Sequence, residues 1–199
     1  VLNEIGQALA RLAPPTEILS VLAANLPRVL EADNIYVCLV DADHREVSFP
    51  LQLVQGVPQP AHARPFGNGV TEYVIRTREA LLLNDGVEPF AHANGLDLPD
   101  GATASSYLAV PMVAGPRVIG MIGVQDRLHR GAFTPEHLGL LTSVATQAAA
   151  ALDNARLVES LRTELAERRR AEARLEQQTH ELSALYRAST RLLRPGESL

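Results

Sequence analysis

The sequence predicts a mixed α+β domain, built on an antiparallel sheet, that runs into a long C-terminal helix. Three observations predict it. Two pairs of apolar β-type runs, Ile35 to Val40 with Glu46 to Val54 and Tyr107 to Val113 with Val118 to Gln125, are each joined by a short turn. Segments with helical spacing of leucine, isoleucine and valine lie on either side of them. In the last of these segments, no proline intervenes between Pro135 and Pro195.

Each element has a local reason. Leu2, Ile5, Leu9 and Leu12 keep helical spacing until Pro14 and Pro15 interrupt it. Thr16 then caps a second helix, which turns Ile18, Leu19, Leu22, Leu26 and Leu30 to one face. Pro27 conflicts with that helix by removing a backbone donor, so a kink or the end of the regular part is expected there. The first hairpin turns through Asp41-Ala42-Asp43-His44-Arg45. Gln55 to Gly69, rich in proline and glycine with little periodicity, reads as an irregular loop. Gly69 to Arg78 suits a short helix and Ala80 to Leu83 a short strand. Asn84 to Ala104 is longer than an ordinary connection, as functional lids and disordered segments are. The second hairpin turns at Ala114-Gly115-Pro116, and its incomplete alternation fits a sheet covered on both faces. Thr134 caps the last helix, Pro135 fits its first position, and Leu138, Leu141, Val144, Ala148 and Leu152 form its buried stripe.

That helix extends for about 60 residues, a rod of roughly 90 Å at ~1.5 Å per residue. No single domain covers so long an element, and its distal half has its own pattern. One heptad frame places Val158, Leu161, Leu165, Leu175, Leu182 and Tyr186 on a seam that Arg168, Glu172 and Thr179 interrupt. Opposite charges three and four residues apart run through Glu164 to Gln177. A parallel dimeric coiled coil with an imperfect middle is expected, the alternative being a solvated single helix stiffened by ion pairs.

Composition narrows the function classes. A 199-residue chain with 46% hydrophobic residues can bury the core of one domain plus an appendage. The formal net charge is −5 and every basic residue is an arginine, many of them interleaved with acids in the last helix, which is no nucleic-acid footprint. Cys38 is the only cysteine, which excludes an intrachain disulfide, a cysteine zinc cage and an internal redox pair, and a reducing, cytoplasmic setting is expected. No apolar run approaches the ~20 residues that span a bilayer. The segment from Leu2 also recurs from Leu182, keeping Leu2/Leu182, Ala8/Ala188, Arg11/Arg191, Leu12/Leu192, Pro15/Pro195, Glu17/Glu197 and Leu19/Leu199. A period that long means duplicated domains. The chain is therefore expected to be one unit of a tandem array.

Three segments carry a family resemblance. Glu31-Ala32-Asp33 precedes the first strand, and Tyr107-Leu-Ala-Val-Pro-Met opens the second hairpin. The most specific is Val118-Ile-Gly-Met-Ile-Gly-Val, followed by Gly131-Ala-Phe-Thr-Pro-Glu-His and by Leu140-Leu141 through Ala155-Arg156. In this order they resemble a GAF domain. The resemblance implies a six-stranded antiparallel sheet flanked by helices over residues 1–158, then a signalling coiled-coil helix over 159–194 that leads into a second GAF-like repeat at 182–199. It also implies a ligand pocket between the sheet and the variable loops. Such domains stand upstream of histidine kinases, cyclic-nucleotide enzymes, phosphatases or transcription activators.

The candidate ligand-binding residues are Tyr36, Phe66, Tyr73 and Tyr107, the aromatics able to approach such a pocket, with Asp85 and His92 from the Asn84 to Ala104 segment. His92 could ligate a haem or hydrogen-bond an anion, although an exposed loop histidine is the ordinary explanation. The NKxFDE pattern of cyclic-nucleotide GAF domains is reduced here to Phe133 and Glu136, which helix packing and first-turn charge explain. Cys38 lies in a strand and not beside a lid histidine, so bilin attachment is not expected. Thr179-His180-Glu181-Leu182-Ser183 resembles a histidine-kinase phospho-acceptor box without its Arg and Pro, and the repeat explains the same letters.

The expectation is a cytoplasmic, non-enzymatic sensor that dimerises through helix 134–194 and the N-terminal helix. It would bind a small molecule of unknown identity and relay the signal to an output domain such as a histidine kinase of a two-component system. A dimerisation module without a ligand and a cyclic-nucleotide binder are the alternatives. No metal or catalytic residue is expected, and the sequence names no cofactor.

Overall fold

The computed structural model describes residues 14–192 except 33, 42, 44 and 99–103, and describes residues 180–192 by their backbone alone. The helix expected over Leu2 to Leu12, the side chains from His180 onward and residues 193–199 of the second repeat lie outside what the structure describes. The chain divides into two units, residues 1–156 and 157–199.

Helix α1 (Pro15–Leu30) starts before the Thr16 cap that its sequence suggests. Pro14 is extended and Pro15 takes the first helical position, where a missing N–H costs no helical hydrogen bond. Ile18, Leu22, Leu26 and Leu30 form the buried stripe. The helix passes through Pro27 and ends one turn later, where Glu31 turns left-handed at φ 48°. The N–H groups of Glu31 and Ala32 both reach the Pro27 carbonyl. Pro27 thus belongs to the last turn, where its missing N–H removes one helical hydrogen bond, to the Ala23 carbonyl, while its own carbonyl closes the helix end.

Strands β1 (Asn34–Val40) and β2 (Glu46–Val54) form the first hairpin, and β3 (Val57–Pro58) and β4 (His62–Pro65) follow. Helix α2 (Val70–Thr77), β5 (Leu81–Leu83) and helix α3 (Val87–Ala93) lead to the second hairpin, β6 (Ser106–Ala114) and β7 (Arg117–Asp126). The order across the antiparallel sheet is β3-β2-β1-β7-β6-β5, with β4 also paired to β2. Among the described residues the sheet has seven strands where six were expected. The additional strands come from Gln55 to Gly69, which is not the irregular loop its prolines suggest. An edge strand leaves half its N–H groups outside the ladder, so Pro58 and Pro65 can sit there. Likewise α3 occupies part of the long segment read as a lid or disordered connection.

Both faces of the sheet are covered. In β1, Ile35 and Val37 enter a core formed with α1 and with Leu141, Val144, Ala148 and Leu152 of helix α4 (Pro135–Leu192). Tyr36, Cys38 and Val40 face the opposite way, toward Val74 and Ile75 of α2 and Val87 and Ala91 of α3. Alternation of side chains along a strand makes this division. Helix α4 begins as its sequence predicts: the His137 N–H donates to the Thr134 hydroxyl at 3.3 Å.

The two glycines of β7 explain part of the third motif. A Cβ at Gly120 would sit 1.9 Å from the Cys38 carbonyl oxygen, so only glycine lets β7 approach β1 there. At Gly123 a Cβ would lie 2.4 Å from the Tyr36 ring. That second vacancy shapes the site described next.

Candidate functional site

A cavity of about 640 Å³ lies on the α2 and α3 side of the sheet. Three of the polar groups lining it are hydroxyls. Tyr36 of β1 and Tyr107 of β6 stand on either side of β7, and Tyr36 pairs in register with Gly123. Because Gly123 has no side chain, the Tyr36 ring lies across β7 and its hydroxyl meets that of Tyr107 at 2.6 Å. The Thr71 hydroxyl, in the first turn of α2, is 3.2 Å from the Tyr36 hydroxyl. Burial pushes Tyr36 up to about 12, against the smaller opposing effect of its bonds to Thr71 and Tyr107. Burial first, then the proximity of Tyr36, raises Tyr107 well above the ordinary tyrosine value. Both phenols therefore stay protonated at neutral pH. Three hydroxyls sharing two hydrogen bonds leave one hydrogen to donate to an occupant.

Beside them is a buried carboxylate. Glu72 is completely inaccessible, yet it lines the cavity. It occupies the third position of α2, where an acidic side chain can turn back onto the free N–H groups before a helix. One carboxylate oxygen accepts the Gly69 N–H at 3.1 Å. The other accepts the Gly67 N–H at 3.2 Å and pairs with Nη1 of Arg64 from β4. Burial by itself would raise this carboxyl. The Arg64 hydrogen bond, the backbone N–H groups and the Arg64 charge together outweigh burial and hold it below its usual value.

Next to these groups the lining is aromatic. Pairing of β2 with β4 sets Phe49 against His62, and their rings stack at 4.8 Å and 10°. The Arg64 guanidinium lies 5.4 Å from the Phe49 centroid. The roof belongs to the segment around α3. Asn68 donates to the Gly95 carbonyl at 2.8 Å, the Asp97 N–H reaches the Asn68 carbonyl at 2.9 Å, and the Val87 N–H reaches the Ala104 carbonyl at 3.1 Å. Val87, Asp97, Leu98 and Ala104 line the cavity from this segment.

Of the six candidate residues, Tyr36 and Tyr107 line this cavity. Phe66, Tyr73, Asp85 and His92 are not among its lining residues. Phe66 is half-buried and lies just before the lining residue Gly67. Tyr73 packs edge-on against Phe90 of α3 at 5.2 Å, a contact that holds the roof helix to α2. Asp85 and His92 are exposed. Sequence reasoning missed Glu72, Arg64, Thr71, Phe49 and His62. A glycine followed three residues later by a glutamate is a readable sign of a helix start, but the partner Arg64 depends on β4, whose prolines suggest a loop.

Cys38 lies in the core beside this site and not in its lining; burial first, then the Glu72 charge, pushes its thiol up to about 12. Among the described residues, no group of three or more His, Cys, Asp and Glu side chains converges as a metal site. No described helix is long and apolar enough to cross a membrane.

A family model described as the GAF domain matches residues 13–153. Among solved structures, a methyl-accepting chemotaxis protein fragment (residues 122 to 287) is similar at 20% identity and a TM-score of 0.63, over 79% of this chain and 97% of that one. The free methionine-R-sulfoxide reductase of Neisseria meningitidis, solved with its substrate, is similar at 19% identity and a TM-score of 0.59, over 79% and 89%. The GAF-B domain of DevS from Mycobacterium smegmatis is similar at 25% identity and a TM-score of 0.54, over 75% and 98%. Among curated proteins no relative matches the chain. With the matched model extending from the start of α1 into α4, the chain belongs to the GAF domain family.

Proposed function

We propose that this chain is the sensory module of a larger cytoplasmic signalling protein. The cavity over β1, β7 and β6 holds a compact polar molecule, and helix α4 pairs with a second copy to carry the response to an output domain such as a histidine kinase. One observation carries the reading: a 640 Å³ cavity in a GAF domain whose interior presents protonated hydroxyls and an Arg64–Glu72 pair. Pockets that hold small ligands combine apolar walls with a few fixed polar groups in this way. Tyr36, Tyr107, Thr71, Arg64 and Glu72 are the residues assigned to the ligand; Asp85 and His92, which are exposed, are not.

A binding role is favoured over catalysis. One similar structure is an enzyme, but here the single thiol is buried, is absent from the cavity lining and is held protonated. A lone protonated thiol is a poor nucleophile and has no internal partner for disulfide exchange. Dimerisation is supported by Leu161, Leu165 and Leu175, which are 58%, 53% and 62% exposed in the single chain. Between them Arg168 and Glu172 pair within the helix at 3.1 Å, the polar interruption of the seam.

Native mass spectrometry of the purified full chain, with small ligands retained, tests the reading. A dimer carrying a reproducible additional mass is expected, and Tyr107→Phe should reduce that mass's occupancy. A dimer without added mass, and without thermal stabilisation by any component of a metabolite panel, would leave a structural dimerisation module. A monomer would remove the coiled coil.

A further inference from the structure

A second cavity, of about 330 Å³, shares no lining residue with the first. Four arginines line it: Arg76 and Arg78 at the end of α2, Arg117 at the start of β7, and Arg156 of α4. Its acidic lining residue is Asp41, in a chain whose formal net charge is −5. Positive charge is therefore concentrated here against the overall sign.

The arginines divide into two kinds. Arg117 is held by Asp153 at 2.7 Å and Arg76 by Asn68 at 2.7 Å, each through one of its nitrogens. Each guanidinium has five N–H donors, so both are oriented while keeping donors to spare. The side chains of Arg78 and Arg156 have no hydrogen-bond or ion-pair partner among the described residues. The Arg78 backbone is fixed nonetheless, in the left-handed cap of α2 at φ 61°, with its N–H on the Val74 carbonyl. Asp41 accepts the N–H groups of Arg45 and Glu46 at 2.7 and 3.0 Å, which commits one of its oxygens to the first hairpin's turn. The C-terminus of α2 places roughly half a negative charge nearby; the arginines exceed it. The floor is apolar and buried, formed by Val40, Ile75, Val118 and Ile119.

We infer that this cavity binds an organic phosphate, its dianion held by Arg78 and Arg156 with Arg76 and Arg117, and its apolar part on the floor. A dianion engages more than one guanidinium fork, whereas a carboxylate fills one, and the planar fork suits phosphate oxygens. An occupant would tie α4 to α2 and to the turn between β6 and β7. The inference is independent of whether the first cavity holds a ligand.

The test is calorimetric titration of the full chain with phenyl phosphate, with phenol and inorganic phosphate as half-probes. Saturable binding that weakens with salt is expected, with each half-probe weaker by roughly tenfold or more. Arg78→Ala and Arg156→Ala should each weaken it about tenfold while moving the unliganded melting temperature by no more than about 3 °C, since neither side chain has a hydrogen-bond or ion-pair partner and Arg78 contributes only its charge at the end of α2. Arg28→Ala removes the same charge from α1 and should leave the affinity unchanged. No saturable binding up to about 10 mM, an Arg28→Ala loss equal to the others, or indifference to Arg78→Ala and Arg156→Ala would each overturn the assignment.

Discussion

The Tyr36 and Tyr107 hydroxyls, 71 residues apart in sequence, share a buried 2.6 Å hydrogen bond. Neither phenol ionises at neutral pH, and burial moves both still further from ionisation. Losing the Tyr107 hydroxyl leaves that of Tyr36 with Thr71 alone, and losing the Tyr36 hydroxyl leaves that of Tyr107 without this bond, whereas losing both replaces the pair with two apolar rings of nearly the same shape. Tyr107→Phe alone should therefore cost about 1–2 kcal/mol, and Tyr36→Phe with Tyr107→Phe should cost less than the sum of the single changes. Urea denaturation of the four-member cycle measures this. Strict additivity would mean that the two hydroxyls do not interact. Gly123 is part of the same arrangement, since any Cβ there would occupy the space of the Tyr36 ring.

At the scale of elements, Glu72 joins the start of α2 to the edge strand β4 and to the loop between them. Its folded-state pKa is depressed, so the unfolded chain takes up the proton first as pH falls. The stability Glu72 contributes is thus fully present above its ordinary value of 4.5 and is lost as pH drops through the lower folded value. Glu72→Gln should destabilise the protein at pH 7 by about 1–3 kcal/mol and flatten the acid limb of its stability profile. Melting temperatures of both proteins between pH 7 and pH 3 test this, at roughly unit intervals across the carboxylate range. An unchanged acid limb would mean that other carboxylates govern acid unfolding. The prolines of β3 and β4 show how an element can be hidden. They suppress strand propensity, yet both strands need only one partnered edge, which β2 supplies.

At the scale of the whole molecule, the buried side chains of α4 among the described residues end at Leu152, and the first unit ends at Arg156. A domain whose core is complete by that point does not need the distal helix to fold. The chain shortened to end at Arg156 should unfold in one cooperative transition, within about 3 °C of the full chain, as followed by circular dichroism. A broad or much lower transition would show that the distal helix contributes to the domain's stability. Sedimentation of the same pair should show self-association in the full chain alone, as expected if the exposed Leu161, Leu165 and Leu175 form the seam.

The sequence by itself determined the two hairpins, helices α1 and α2, the start of α4 at Thr134-Pro135, and a sheet covered on both faces. Those features follow from short-range periodicity, caps and turn residues, which act within one element. Its glycine-containing β7 motif also pointed to the family. Only the tertiary structure decided the contents of the cavity. Strand order sets β1 and β6 on either side of β7, and register then brings Tyr36, Gly123 and Tyr107 together. The pairing of β4 with β2 delivers Arg64 to Glu72. His92 and Asp85 carried suitable chemistry and lay in a suitable segment, but the fold of that segment leaves them exposed. Local pattern specifies which element a residue joins, whereas the partner it meets depends on strand order and register, which arise from contacts distant in sequence.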